Sequence, residues 1–126
     1  MQMPDAPARD VFDAASPSRA ALELVANKWA MLIVPALQGG PMRNNEILRR
    51  IGGISQKMLT QTLRDLERHG LVTRTDRRTV PPHVEYALSE VGRSLCESFG
   101  AALRWAEAHH GELVDARRAH DAGLRD

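Results

Sequence analysis

The chain has 126 residues, 43% of them hydrophobic and 26% charged, enough for one domain that buries roughly two-thirds of its unfolded surface. No apolar run reaches the ~18 residues of a membrane span and residues 1–15 lack the apolar stretch of a signal peptide, so a cytoplasmic protein that touches no membrane is expected. A single cysteine, Cys96, excludes an internal disulfide and a cysteine-rich zinc site, and two Phe, two Trp and one Tyr are too few for a β-sandwich core or a platform that stacks single-stranded bases. The net charge is only +1, but residues 41–93 carry ten basic against six acidic side chains, while residues 1–40 and 94–126 are each net acidic. That distribution fits contact with a polyanion by the middle of the chain alone.

Residues 1–15, rich in Pro, Asp and Ala without a stable period, predict a flexible N-terminal arm. Ser16-Pro17 opens the first helix with a capping hydroxyl followed by a proline at the first helical position, and Ala21, Leu22 and Val25 follow at helical spacing. A second helix over residues 28–37 carries Trp29, Leu32, Ile33 and Leu37 and stops before Gly39-Gly40-Pro41, with Pro35 expected to kink or shorten its last turn. A third runs from Asn44 or Asn45 to Arg50 and closes at Gly52-Gly53; Asn44 is a candidate cap. The fourth begins at Ser55, with Ile54 before the cap placed to pack on Leu59 as a hydrophobic staple. Leu59, Leu63 and Leu66 then share one face, while Lys57, Thr60, Gln61, Arg64 and Arg68 spread over the opposite one.

Gly70 supplies the left-handed stop, after which residues 71–75 and 84–88 read as two short strands joined by DRRTVPPH, a loop with two arginines and two prolines. Ser89 caps a last long helix with a stripe of Val91, Leu95, Phe99, Ala102, Ala106 and Leu113. A domain over residues 16–111 is expected, with residues 112–126 a frayed or disordered tail. The stripe over residues 89–113 outruns what one small core covers, as an interface between subunits would. The order helix, helix, helix, helix, strand, strand, long helix is mainly α with a small β-hairpin: a winged helix-turn-helix between N- and C-terminal helices. A helix about 10–12 Å wide fits the major groove of B-DNA, and exposed Lys, Thr, Gln and Arg are side chains that reach phosphates and base edges.

The runs KWAMLI, GGPMRNNEILRRI, GISQKMLTQTLRDLERHGLV and PPHVEYALSEVG, with the helix that contains Trp105, resemble the HxlR-type family of bacterial winged-helix regulators over residues 16–110. The resemblance implies a homodimer on double-stranded operator DNA, with the fourth helix in the groove, the hairpin as wing and the first and last helices at the dimer contact. By position it implies DNA contacts from Arg43, Ser55, Gln56, Lys57, Thr60, Gln61 and Arg64, and from Arg74, Arg77, Arg78 and His83 on the wing. Leu22, Trp29, Leu95, Phe99, Leu103 and Trp105 are the corresponding dimer candidates. Many members carry a Cys-Pro pair that some use to sense oxidants or aldehydes; here the pair is Ser16-Pro17, which excludes thiol sensing at that position. Asn44 stands where the family usually has phenylalanine, and Pro35 where a charged residue is common.

Other chemistry is thinly represented. Cys96 reads as a small buried hydrophobe. His109 and His110 are adjacent, hence about 100° apart on a helix, and cannot chelate one ion as an i, i+4 pair would, so no metal is expected. No nucleophile with its base, phosphate-binding glycine loop or carboxylate pair occurs, so neither an enzyme nor a cofactor is expected. A small-molecule effector between the first helices and the last is compatible with the sequence, without a polar constellation that identifies it. The rival function is a winged-helix protein-interaction module without a DNA target, for which the basic helix face and Arg77-Arg78 would serve solubility alone.

Overall fold

A computed structural model describes residues 10–123 of the chain. Its elements run α1 (Pro17–Val25), α2 (Lys28–Ala36), β1 (Met42–Arg43), α3 (Asn44–Arg50), α4 (Gln56–Arg68), β2 (Val72–Asp76), β3 (Val84–Leu88) and α5 (Glu90–Gly123). The arm expected over residues 1–15 lies partly outside the described residues. Its last part, residues 10–15, departs from the expectation: it forms turns, and Arg19 latches them by donating from Nε to the Val11 carbonyl at 2.9 Å and from Nη2 to that of Phe12 at 3.0 Å.

Local chemistry sets most helix ends. Ser16 Oγ accepts from the Ser18 N–H at 3.2 Å ahead of Pro17, and Ser55 Oγ accepts from Met58 N–H at 3.0 Å. Asn27, not singled out from the sequence, caps α2 by accepting from the Trp29 and Ala30 N–H groups. At α3 the cap is Arg43 rather than Asn44, and the Glu46 carboxylate takes the Arg43 N–H at 2.9 Å. Pro35 lets α2 end one residue early, and a 3-10 turn over Leu37–Gly39 continues it. Gly70, at φ +75, ends α4 in a Schellman arrangement: its N–H donates to Glu67 C=O at 3.0 Å and the Leu71 N–H to Leu66 C=O at 2.9 Å.

The core joins Ala30, Ile33, Val34 and Leu37 of α2 and its 3-10 turn to Ile47, Ile51 and Ile54 around α3, Leu59, Leu63 and Leu66 of α4, Leu71 and Val72, Leu88, and Cys96 and Phe99 of α5. Ile54 and Leu59 are both in it, as the staple requires. The sheet has three strands in the order β1-β3-β2, all antiparallel, so the hairpin carries a third strand that the sequence did not predict. Met42 pairs with Tyr86 and Arg43 with Glu85. Those partners lie far apart in sequence, and two residues are too few to show an alternating pattern of their own.

Ser89 clamps the start of α5: its Oγ lies 2.6 Å from the Gly70 carbonyl oxygen and 3.1 Å from that of Leu71, and accepts from the Gly92 N–H at 3.0 Å. The helix then runs as one piece to Gly123, about 50 Å long. The frayed tail expected from residue 112 is therefore helical through Gly123. Residues 112–122 hold neither Gly nor Pro and include three Ala and two Arg, so an already nucleated helix extends by one bond per residue with little tertiary contact.

Candidate nucleic-acid interface

The buried leucines of α4 orient its polar face. Leu59, Leu63 and Leu66 are essentially inaccessible, and the same rotation leaves Gln56, Lys57, Thr60, Gln61 and Arg64 exposed, next to the exposed cap Ser55. Gln56 Nε2 donates to Thr60 Oγ1 at 3.0 Å, so these two side chains form one patch a helical turn apart. Arginines of two other elements, Arg43 and Arg74, are exposed as well.

Arg43 is exposed where β1 passes into α3, and lines a recess with Asn45, Glu46 and Arg49. Asn45 and Arg49 were not among the sequence candidates, although their i, i+4 spacing on a short helix places both on one face. Arg74 lies directly across the sheet from Tyr86, and the two line a second recess with Thr60, Arg64 and Glu67 of α4. Tyr86 was also missed. Which strand residues stand opposite each other depends on hairpin register, and the eight-residue loop does not determine it.

The wing is organised differently from the expectation. Arg78, in the left-handed region at φ +52, is fixed through its backbone N–H, which donates to Asp76 Oδ1 at 2.9 Å, and its side chain is exposed. Arg77 and His83 are already engaged by a carboxylate of their own hairpin. Arg77 Nε lies 3.2 Å from Glu85 Oε1 and Nη2 3.4 Å from Oε2, and His83 Nε2 bonds the same Oε1. His83 is only half-exposed. The hydrogen bond from His83, then that from Arg77, hold the Glu85 carboxyl below the usual carboxylate range.

The dimer candidates divide. Leu22 on α1 and Trp105 on α5 are large apolar side chains left 46% and 54% exposed, and Val91 and Leu113 are exposed on α5 as well. Trp29, Leu95 and Leu103 are half-buried, with Lys28 Nζ 4.4 Å from the centre of the Trp29 ring. Phe99 is corrected: at 2% exposure it belongs to the core of the single chain and has no surface left to give a partner. Beside α5 run two grooves, an apolar one along α1 with Leu24, Val91 and Leu95, and one of mixed character where Leu32, Pro35 and Ile51 meet Leu103 between Arg50 and Glu107.

Cys96 is buried, and burial, with Glu97 nearby, pushes its thiol up. His109 stacks on Trp105 with ring centres 4.8 Å apart, its Nδ1 3.0 Å from the Trp105 carbonyl oxygen. Among the described residues no three His, Cys, Asp or Glu side chains cluster as metal ligands would, and no single helix is long and apolar enough to cross a membrane.

Residues 24–113 match the HxlR-like helix-turn-helix family. The chain is 39% identical over 108 residues to the HTH-type transcriptional regulator YtfH of Escherichia coli K12, covering 86% of each chain. It is 45% identical over 83 residues to the HTH-type regulator YkvN of Bacillus subtilis, covering 66% of this chain and 70% of that one. The solved structure of the transcriptional regulator ytfH from Salmonella typhimurium superposes with a TM-score of 0.81 at 36% identity, covering 86% of this chain and 97% of that one. Its helix-turn-helix, its wing and these relatives together place the chain in the HxlR-like helix-turn-helix family of transcriptional regulators, a membership that implies DNA as its partner.

Proposed function

We infer that the protein is a homodimeric regulator that binds double-stranded DNA sequence-specifically, with α4 in the major groove, the β2–β3 wing on the adjacent backbone, and α1 and α5 forming the dimer contact. The observation that carries this reading is the polar face of α4, exposed at Gln56, Lys57, Thr60, Gln61 and Arg64 and not needed by the core, with Arg74 in the recess beside it. Gln56, Lys57, Thr60, Gln61 and Arg64 are the base-edge candidates. Arg43, Arg74 and Arg78 supply positive charge to phosphates on either side.

Two additions follow from the recesses beside α4. Asn45 and Arg49 join Arg43 on the backbone upstream of the groove helix. Tyr86 and Arg74 join the phosphate candidates on the wing side, where they share a recess with Thr60, Arg64 and Glu67 of α4. Support for the dimer comes from the exposed Leu22, Val91, Trp105 and Leu113, which are distributed over α1 and the outer side of α5.

Selection of duplexes from a random pool, followed by anisotropy titration of the enriched sequence at several salt concentrations, tests the reading. Enrichment of a two-fold symmetric site, with affinity falling steeply as salt rises, is expected of a dimer that releases counterions. Absence of enrichment, or binding insensitive to salt, would leave the winged helix as a protein-interaction module instead.

A further inference from the structure

One carboxylate on the wing occupies two of the residues expected to meet DNA. The Glu85 side chain is 19% exposed on β3, while that of Arg77 is 55% exposed and spends its Nε and Nη2 on the two Glu85 oxygens. His83 Nε2 closes on Oε1, and the Arg77 N–H donates to the His83 carbonyl at 2.9 Å, so backbone and side chains lock the three residues into one unit. Arg78, one residue on, is tied through its backbone only. The same loop therefore carries one guanidinium free to meet an anion and one already paired.

A phosphodiester offers a guanidinium fork the same pair of anionic oxygens that a carboxylate does. To take a phosphate there, Arg77 must exchange one anion for another, which is a smaller gain than pairing an unpartnered charge. We propose that Glu85 is a positioning residue of the DNA interface, a resident anion that acts through Arg77 and His83 and that a DNA phosphate must displace. The inference rests on the DNA-binding reading above. Glu85 thereby weakens the sequence-independent attraction of the wing to any duplex, and removing it strengthens binding. A purely structural role predicts the opposite sign.

The test is the affinity of full-length wild type and Glu85→Gln for a mixed-sequence DNA duplex, by fluorescence anisotropy at several salt concentrations, with thermal melting of each variant as a check on folding. Glu85→Gln should bind more tightly and with a slope steeper by ~0.9, so that its advantage shrinks about threefold between about 50 and about 200 mM salt. Glu85→Ala should do the same if the glutamine variant melts early. In an Arg77→Ala, His83→Gln background the gain should vanish. A gain that persists there would mean that Glu85 merely repels phosphate, and would overturn the assignment, as would weaker or unchanged binding by Glu85→Gln when wild type binds. If wild type binds no duplex at any salt, the DNA-binding reading falls and takes this inference with it.

Discussion

Gly92 is the point where α5 meets the end of α4, and it has room for no side chain: a Cβ there would lie 2.0 Å from the Leu71 carbonyl oxygen. Alanine would normally favour a helix by about 1 kcal/mol over glycine, but the backbone clash dominates, because Ser89 ties that same carbonyl to the start of α5. Gly92→Ala should therefore destabilise the fold by roughly 1–3 kcal/mol, read as a lower denaturant midpoint at unchanged slope. A second residue-scale prediction concerns Glu85, whose carboxyl lies below the ordinary range because His83 and Arg77 bond its charged form. Its contribution to wing order is present above the unfolded pKa of a glutamate and is lost as pH falls through the depressed folded value. A carboxyl NMR titration should find Glu85 titrating below the ordinary glutamate value, and Arg77→Ala should move it upward.

At the scale of elements, helix and wing should fail in different ways. Arg64 stands on the exposed face of α4, so Arg64→Ala should cost about 1–3 kcal/mol on the selected site and relax the choice at one base pair. Replacing both Arg77 and Arg78 by alanine should weaken selected and scrambled duplexes alike. Because Glu85 already holds Arg77, the salt slope should fall by about one unit rather than two. Binding curves on both duplexes across salt separate the cases. An Arg64→Ala variant that still discriminates, beside a wing variant that does not, would reverse the two roles.

For the whole molecule, α5 divides along its length. Its first turns, with Gly92, Cys96 and Phe99, complete the core, whereas Trp105 and Leu113 lie on its outer half with more than half of their surface open. Removing residues 94–126 would take Cys96 and Phe99 with it and unfold the chain, so a test of the dimer must act beyond Leu103. Trp105→Ala should leave the melting of the isolated chain within about 0.5 kcal/mol of wild type, as an exposed site does. It should raise the dimer dissociation constant by about 30-fold or more in sedimentation, as loss of a ~2 kcal/mol aromatic hot spot does. A variant that remains as dimeric as wild type would move the interface away from this end of α5.

The sequence by itself determined the helix starts at Ser16-Pro17, Ser55 and Ser89, the stop at Gly70, the buried leucine face of α4 and thus the exposure of its polar residues. Each of these rests on groups within one or two helical turns: a hydroxyl on a nearby N–H, a φ only glycine adopts at ease, or a 3.6-residue period. Only the tertiary structure decided that Met42–Arg43 is a strand, that Arg74 faces Tyr86, that Phe99 belongs inside, and that Glu85 holds Arg77 and His83. The first three depend on partners brought together by hairpin register and by α5 crossing α2. The Glu85 cluster depends on the conformation of a proline-rich loop that has no repeating pattern to read. Local hydrogen-bonding chemistry is written in neighbouring residues, whereas the pairing of distant strands and the side chain that claims a given charge are settled only when the chain closes on itself.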